Sequence, residues 1–363
     1  MFNNMILPEL ENKPYLVDLQ REYETMFCPI EAVEELVEFI DIYWRKKHPL
    51  VVSRELLDWQ HLNKANSSYN FVISRHRKSK QIHAILGFVP TSQFDSNIQH
   101  PQVWACIWKK RDDINVKGIG VGLYHFLVNN IEIESMSMLG VSEIARDIYQ
   151  SWNFTSGVFS HFFMLNKMLK EYKLIDGYIP CEPQIFPVSS IDCLIELCTQ
   201  SDFESLDLKL FEFFSKQKSK DYYINRFFQH PIYTYNAYSI KKHGEMSAVF
   251  FIRECSNECR KALRIVDFVG DLQALIGNAG NFQKLLSERS AEYIDFFHVG
   301  LDKGILEASG FVDKSNTSLV VPNYFEPFYM RNIEIGYTYK NIDKNEQAVF
   351  FKADADQDRP NLI

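Results

Sequence analysis

Residues 102–130 read QVWACIWKKRDDINVKGIGVGLYHFLVNN, and the order of features in this stretch decides the fold. Gln102–Lys109 is apolar almost throughout, which marks a central strand buried on both faces. Lys117-Gly118-Ile119-Gly120-Val121-Gly122 follows as a glycine-rich turn. Leu123–Asn130, carrying Tyr124, Phe126, Leu127 and Val128, then suits a packed helix. A strand, a glycine turn and a helix in that order put backbone N–H groups at a helix mouth, with no Cβ in the way and the positive end of the helix dipole behind them. That arrangement cradles phosphate, although a tight strand-to-helix turn of structural use alone carries the same signature. No Gly-Lys-Ser/Thr closes the turn as a Walker loop requires, and the upstream chain is a meander rather than the opening βαβ unit of a dinucleotide fold.

Upstream, Pro29–Trp44 places Val33, Leu36, Val37 and Ile40 at helical spacing, with glutamates crowding the first turn where the dipole favours them. A second helix is predicted over Ser53–His61 with Ser53 as its cap. Tyr69–Ser74 and Gln81–Val89, joined by the basic turn Arg75–Lys80, read as a hairpin. Downstream come a strand at Ser137–Val141, a helix at Ser142–Trp152 and a strand at Val158–Leu165.

Three prolines within Asp176–Ser190 mark a boundary. The second half is expected to hold helices at Ile191–Gln200, Leu206–Lys216, Leu272–Ser287 and Asp302–Ser309. Its expected strands are Ile232–Ile240, Met246–Arg253, Ala262–Val269, Tyr293–Val299 and Ile333–Tyr339. The element order repeats, and VSEIARDIYQSWNF (141–154) aligns with VGLDKGILEASGF (299–311), which puts Leu306 where Tyr149 stands. Two related domains, 1–175 and 176–363, are expected, in keeping with a length of 363 residues.

The formal net charge of -8 argues against a nucleic-acid binder, whose phosphate contacts need a basic face. Seven cysteines (Cys28, Cys106, Cys181, Cys193, Cys198, Cys255, Cys259) form no Cys-x-x-Cys pair, and no histidine cluster stands at metal spacing. Reduced thiols in a cytoplasm, and no metal, are therefore expected. The opening MFNNMILPELENKPYLVD lacks a basic stretch followed by an apolar one, and no segment approaches the ~18 apolar residues that span a bilayer. Neither signal nor membrane anchor is expected.

The phrase Lys117-x-x-Gly120-x-Gly122 resembles the Gln/Arg-x-x-Gly-x-Gly/Ala pattern with which GNAT acetyltransferases wrap the pyrophosphate of coenzyme A, lysine replacing the usual arginine or glutamine. Ala145–Phe154 (ARDIYQSWNF) is similar to the same family's late helix, which usually ends in Tyr-x-x-x-Gly-Phe, with Asn153 where glycine is commoner. The likeness runs over about Pro29 to Leu165. It implies an α/β fold of tandem GNAT-like domains, each a mixed, mostly antiparallel twisted sheet flanked by helices. It also implies acyl-CoA as co-substrate, held by Ile107, Trp108, Lys109 and Lys117, Gly118, Ile119, Gly120, Val121, Gly122. By the same resemblance Tyr149 lies beside the coenzyme sulfur and can protonate the departing thiolate, and a backbone N–H of Cys106–Lys109, where pairing splays open in this family, meets the oxyanion that acyl transfer develops.

A narrower resemblance, in Ile85–Pro90 followed by Asp95 and in the terminal 352–361, points to bacterial N-acyltransferases of nucleotide-linked amino sugars of the anthrose type. It implies an acceptor such as dTDP-4-amino-4,6-dideoxyglucose, used in surface polysaccharides such as O-antigen. Asp95 is the base this family favours. His83 is the alternative on chemical grounds, because its unperturbed pKa lies near neutrality. Trp59, Phe88 and Arg359 are assigned to substrate. Cys106, in an apolar strand with no local histidine, is a small hydrophobe rather than a nucleophile. After Ala262–Val269 the second half offers only Gly270-Asp271-Leu272-Gln273, so it lacks the cradle and is expected to hold acceptor or close a cleft. Two other classes stay open: a tandem-GNAT aminoacyl transferase of cell-wall synthesis, and a noncatalytic module that binds coenzyme A or nucleotide. A homo-oligomeric state is left open as well.

Overall fold

The computed structural model describes residues 19–178, 189–190, 192–213, 218–341, 348–355 and 358. Two compact units emerge. One takes the described residues up to Gly157 and again Gly336–Asn341; the other takes Val158–Ile335 and the described residues from 348 to 358.

The first unit opens with β1 (Tyr23–Pro29), a strand hidden in what reads as a polar lead-in. Helical structure then runs unbroken from Ile30 to Trp44 around α1 (Val33–Phe39). Helix α2 (Arg54–His61) starts as anticipated, the Leu56 N–H donating to Ser53 Oγ at 3.1 Å. A two-residue β2 (Leu62–Asn63) leads into the antiparallel hairpin of β3 (Ser68–His76) and β4 (Ile82–Pro90). Next come β5 (Gln102–Lys110), α3 (Ile119–Asn130), β6 (Ser135–Leu139), α4 (Glu143–Ser151) and β7 (Thr155–Val158). Ala84, Leu86 and Phe88 of β4 join Leu123, Tyr124 and Leu127 of α3 in one buried cluster. On the opposite face Phe71 of β3 carries the His61 ring of α2 at 4.6 Å, so helices cover both faces of the sheet.

In the second unit β8 (Ser160–Leu165) is followed by β9 (Cys193–Cys198), β10 (Asn236–Lys242), β11 (Glu245–Asn257) and β12 (Arg260–Gly270). Then come α5 (Ala279–Glu288), β13 (Ala291–Val299), α6 (Lys303–Ala308) and β14 (Val312–Asp313). The chain ends its described part with β15 (Gly336–Asn341) and β16 (Phe350–Phe351).

The two sheets have the same plan. The first runs β1-β3-β4-β5-β6-β15-β7, the second β9-β10-β11-β12-β13-β8-β14. In each, one central pair is parallel, β5 with β6 and β12 with β13, and the flanking pairs in register are antiparallel. The helix that follows each parallel pair ends alike. Phe154 N–H reaches back to Tyr149 O and Phe311 N–H to Leu306 O, both at 3.1 Å, across Asn153 at φ 60 and Gly310 at φ 89. Asn153 therefore takes the left-handed position that glycine takes in the other copy. Tyr149 and Leu306 occupy equivalent sites, as the alignment of 141–154 with 299–311 predicts.

Several expectations change. The strand expected over 158–165 is cut at Phe159: β7 stays in the first sheet and β8 enters the second. The late strand expected in the second half returns to the first sheet, where Gly336–Asn341 pairs with β6. Each sheet thus takes its sixth strand from the other half of the chain. The division between units accordingly falls at 157/158, just before the last residue of β7, while the 175/176 position lies within the second unit's stretch. The helix expected over 191–200 contains β9, because CLIELC satisfies both periodicities and β10 offers an open edge. Leu272–Ser287 is interrupted by Gly277 at φ 87, giving a 3₁₀ turn at Leu272–Leu275 and then α5. Within 206–216 the described helical part is a 3₁₀ segment, Leu208–Glu212. Among the described residues no helix is long and apolar enough to cross a membrane.

The second core holds His298 of β13, 1% exposed, with neither ring nitrogen hydrogen-bonded among the described residues. Burial, helped by the Lys303 cation, lowers its pKa to about 3. The folded state keeps this ring neutral while the unfolded chain protonates near its ordinary value of about 6.5. Its contribution is therefore complete above that value and is lost as pH falls through it toward the folded value. Urea-unfolding free energy is expected to drop on acidification between about pH 6.5 and 4, by up to about 1.4 kcal/mol per pH unit from this ring. His298→Phe is expected to flatten that slope; an unchanged slope would locate the acid sensitivity elsewhere.

Candidate functional site

β5 and β6 run side by side for four residues, from Gln102↔Ser135 to Ala105↔Met138, and there the ladder stops. β6 ends at Leu139 while β5 continues to Lys110. Among the described residues β5 has no strand neighbours but β4 and β6, so past Ala105 the parallel pair opens into a V. On the other edge of β5 the pairing with β4 slips between Leu86 and Phe88, which leaves Gly87 facing both Cys106 and Ile107. This bulge bends β5 away at the point where the V begins. Gly87 is required there: a Cβ would lie 2.6 Å from the Phe71 ring and 3.0 Å from Cys106 Sγ.

Helix α3 follows β5, and its first turn lies inside the glycine motif. Gly118 is the N-cap, left-handed at φ 76, and among the described residues no side chain caps the helix. The N–H of Gly122 makes the first intrahelical bond, to Gly118 O at 2.8 Å, so the amides of Ile119, Gly120 and Val121 precede the ladder. The turn proper is thus Lys117–Gly118, and Gly120 and Gly122 are helical, a correction to a turn spanning 117–122. Lys117 is exposed, Ile107 is buried, and Lys109 pairs with Asp112 at 2.7 Å.

Gly120 is glycine for a reason that spacing does not reveal. The Trp108 indole N–H donates to Gly120 O at 3.2 Å, and a Cβ on Gly120 would sit 3.0 Å from that nitrogen. Trp108 in turn meets Tyr149 at 5.3 Å between ring centroids. Tyr124 lies 4.8 Å from Trp152, and Tyr149 5.1 Å from Phe154. Tyr149 is buried at the centre of this group, and its hydroxyl has no hydrogen-bond partner among the described residues, nor has that of Tyr124. Burial holds the Tyr149 phenol well above its usual pKa. Two orphaned hydroxyls in one aromatic cluster are unusual, since buried polar atoms normally find partners.

The sequence-selected residues fall in three places. Trp108, Gly118–Gly122 and Tyr149 converge where the V opens. Phe88 pairs across from Ala105, level with the apex of the V. It helps line a pocket of about 280 Å³ whose other walls include Asn63, Asn66, Ser68, Asn70 and Gln99. Trp59 and Asp95 lie at the same end of the sheet. The Trp59 ring packs on Phe94 at 4.9 Å, and the buried Asp95 accepts the Asn97 N–H at 2.9 Å in the short loop before β5. His83 is apart, at the other end of β4, its Nδ1 2.9 Å from the Tyr23 hydroxyl and its ring stacked on His76 at 5.1 Å. Burial first, then Arg111 and His76, lower its pKa, so the ring is neutral near pH 7. Arg359 lies outside the described residues. Sequence reasoning missed Gly87, Tyr124, Trp152 and the amide-lined pocket; only Gly87, an isolated glycine inside a strand, carried a signal. Among the described residues no group of His, Cys, Asp and Glu is placed to hold a metal.

No family model and no curated protein matches the sequence. Solved structures match its fold. A GCN5-related N-acetyltransferase from Anabaena variabilis gives a TM-score of 0.54 at 10% identity, over 88% of this chain and 73% of that one. A conserved protein of unknown function from Enterococcus faecalis, described as a probable N-acyltransferase, gives 0.53 at 10% identity with the same coverage. A GCN5-related N-acetyltransferase from Kribbella flavida gives 0.52 at 8% identity, over 89% and 71%. At such identities the likeness is one of architecture: the chain has the fold of these GCN5-related N-acetyltransferase structures, a mixed sheet flanked by helices built twice.

Proposed function

We propose that this chain is an acyl-CoA-dependent N-acyltransferase whose coenzyme site lies in the first unit. The observation that carries the proposal is the V between β5 and β6, with the start of α3, which no side chain caps among the described residues, directly after its open arm. Together they offer an extended backbone edge for the amide-bearing arm of coenzyme A and three main-chain donors for its diphosphate, with the Lys117 ammonium beside them. The likeness in fold to N-acetyltransferase structures supports the same assignment.

In this mechanism an acceptor amine, deprotonated by a base, places its lone pair on the thioester carbonyl carbon. The new C–N bond forms, the C–S bond breaks, and the amine proton leaves to the base. The edge of β5 next to Cys106 aims main-chain N–H groups at the oxygen on which charge develops. Tyr149 supplies a hydroxyl to the departing sulfur. The departing thiolate, whose conjugate acid has an ordinary pKa of about 8.5, is a weaker base than the phenolate of a tyrosine that burial holds above its usual value, so full proton transfer is uphill and Tyr149 stabilises the sulfur by donating a hydrogen bond.

The acceptor is a polyhydroxylated amine, of which a dTDP-linked amino-deoxysugar, carrying its negative charge on the nucleotide diphosphate, is the type. What supports this is the pocket level with the apex of the V. Its walls carry side-chain amides and hydroxyls of the kind that bond sugar hydroxyls, and Phe27 and Phe88 supply apolar faces. Asp95, at that end of the sheet, is the nearer of the two base candidates to this pocket, and His83 is the one that is neutral at pH 7 without help.

Gly120→Val is expected to displace Trp108 and weaken coenzyme A binding by at least about tenfold, read by calorimetry together with a shift in tryptophan emission; unchanged affinity would place the coenzyme elsewhere. Asp95→Asn is expected to lower turnover on an amino-sugar panel by roughly 10²-fold with coenzyme affinity kept. Should His83→Gln cause that loss instead, and remove the acidic limb of the pH–rate profile, the base is His83.

A further inference from the structure

The second unit repeats the V and fills it. The parallel ladder of β12 and β13 runs to Ile265↔Phe296 and stops, as that of β5 and β6 stops at Ala105↔Met138. β12 continues to Gly270 beyond the divergence. Into this second V comes the chain's own late segment. Phe350 and Phe351 pair with Val299 and His298 on the β13 arm. Two residues later the N–H of Ala353 donates to Val266 O on the β12 arm at 2.8 Å, one residue past the end of the parallel pairing. The segment bridges both arms.

Side chains lock it there. Phe351, 1% exposed, stacks on Phe296 at 5.9 Å and joins the main apolar cluster of the unit. Its N–H donates to Asp354 Oδ2 at 2.9 Å, and Asp354 lies 2.6 Å from the Lys218 ammonium, which also bonds Asp267 of β12 at 2.8 Å. Arg226 donates to Ala353 O at 3.0 Å and to the buried Asp358 at 3.1 Å. Lys218 faces two carboxylates and Arg226 one, all buried, and buried charges held by such contacts are costly to pull apart.

The helix mouth is closed too. Among the described residues no side chain accepts from the first amides of α3, whereas the N–H of Asn281 in the first turn of α5 donates to Ser189 Oγ at 2.7 Å. Ser190 packs so tightly on Gly277 that a Cβ there would lie 2.7 Å from its Oγ.

We infer that residues 350–354 are a built-in peptide ligand of the second unit, occupying the slot that corresponds to the coenzyme slot of the first, so that each chain binds one acyl-CoA. The count of one rests on the coenzyme reading of the first unit; the occupancy of the second slot does not. Strand-like insertion of a segment between two backbone edges replaces the hydrogen bonds an extended ligand would make.

Two measurements on the full chain test this. Hydrogen exchange is expected to protect the Phe351 and Ala353 amides by about 10³-fold or more over an unstructured peptide, with and without coenzyme A; Ala353→Pro, which removes one of these donors, is expected to reduce protection at Phe351. Calorimetry with coenzyme A is expected to give one equivalent per chain, weakened at least about tenfold in Gly120→Val and kept in Ala353→Pro. Fast exchange at 350–354, exposure of that segment on adding coenzyme A, two equivalents per chain, or one whose affinity is unchanged in Gly120→Val would each overturn the inference. Absence of coenzyme binding together with protected amides would refute the coenzyme reading of the first unit while leaving the second slot filled.

Discussion

A parallel pair of strands that stays together for only four residues is the constraint from which the rest of the first unit follows. Two backbones that part leave unsatisfied donors and acceptors along an edge, and a buried edge of that kind has to be completed by something. Everything local to the V serves the parting. The Gly87 bulge bends β5; Trp108 turns its indole onto Gly120 and so fixes the start of α3; and Tyr149 and Tyr124 close the space beneath with rings rather than with polar partners. A ligand that is itself an extended chain of amides answers that geometry better than a compact one.

The same plan, built twice, ends with different solutions to the same backbone problem. In the second unit the late segment, a hydroxyl from Ser189 and a set of buried ion pairs supply the missing partners. Burying Lys218 between Asp267 and Asp354, or Arg264 against Asp295 at 2.7 Å, is not an economical way to stabilise a core. Such pairs do fix one arrangement of the chain against sliding, which a segment threaded between two strands requires.

Much of the first unit was legible in the sequence because its signals are local. Ser53 caps a helix, QVWACIWK is a buried strand, and Asn153 ends a helix in the left-handed conformation, each on chemistry within a few residues. The alignment of Tyr149 with Leu306 held because the helix cap that defines it is also local. What could not be read was long-range. Nothing in SHFFML or GYTYKN says to which sheet it belongs, and nothing in CLIELC chooses strand over helix until β10 presents its edge. The glycine motif was found for its spacing, yet one reason for Gly120 is a tryptophan twelve residues earlier, visible only once β5 and α3 are packed.

The exchange of sixth strands has a consequence for how the polypeptide comes into being. During synthesis the first sheet has its seven leading elements outside the ribosome early, but the strand that belongs between β6 and β7 is not made until residue 341 has emerged. The N-terminal half must therefore wait with a gap in its hydrogen bonding, exposed to chaperones and to other nascent chains, while most of the C-terminal half is translated. Completion of both halves becomes nearly simultaneous, and a message truncated anywhere before the codon for Asn341 yields no finished sheet at all.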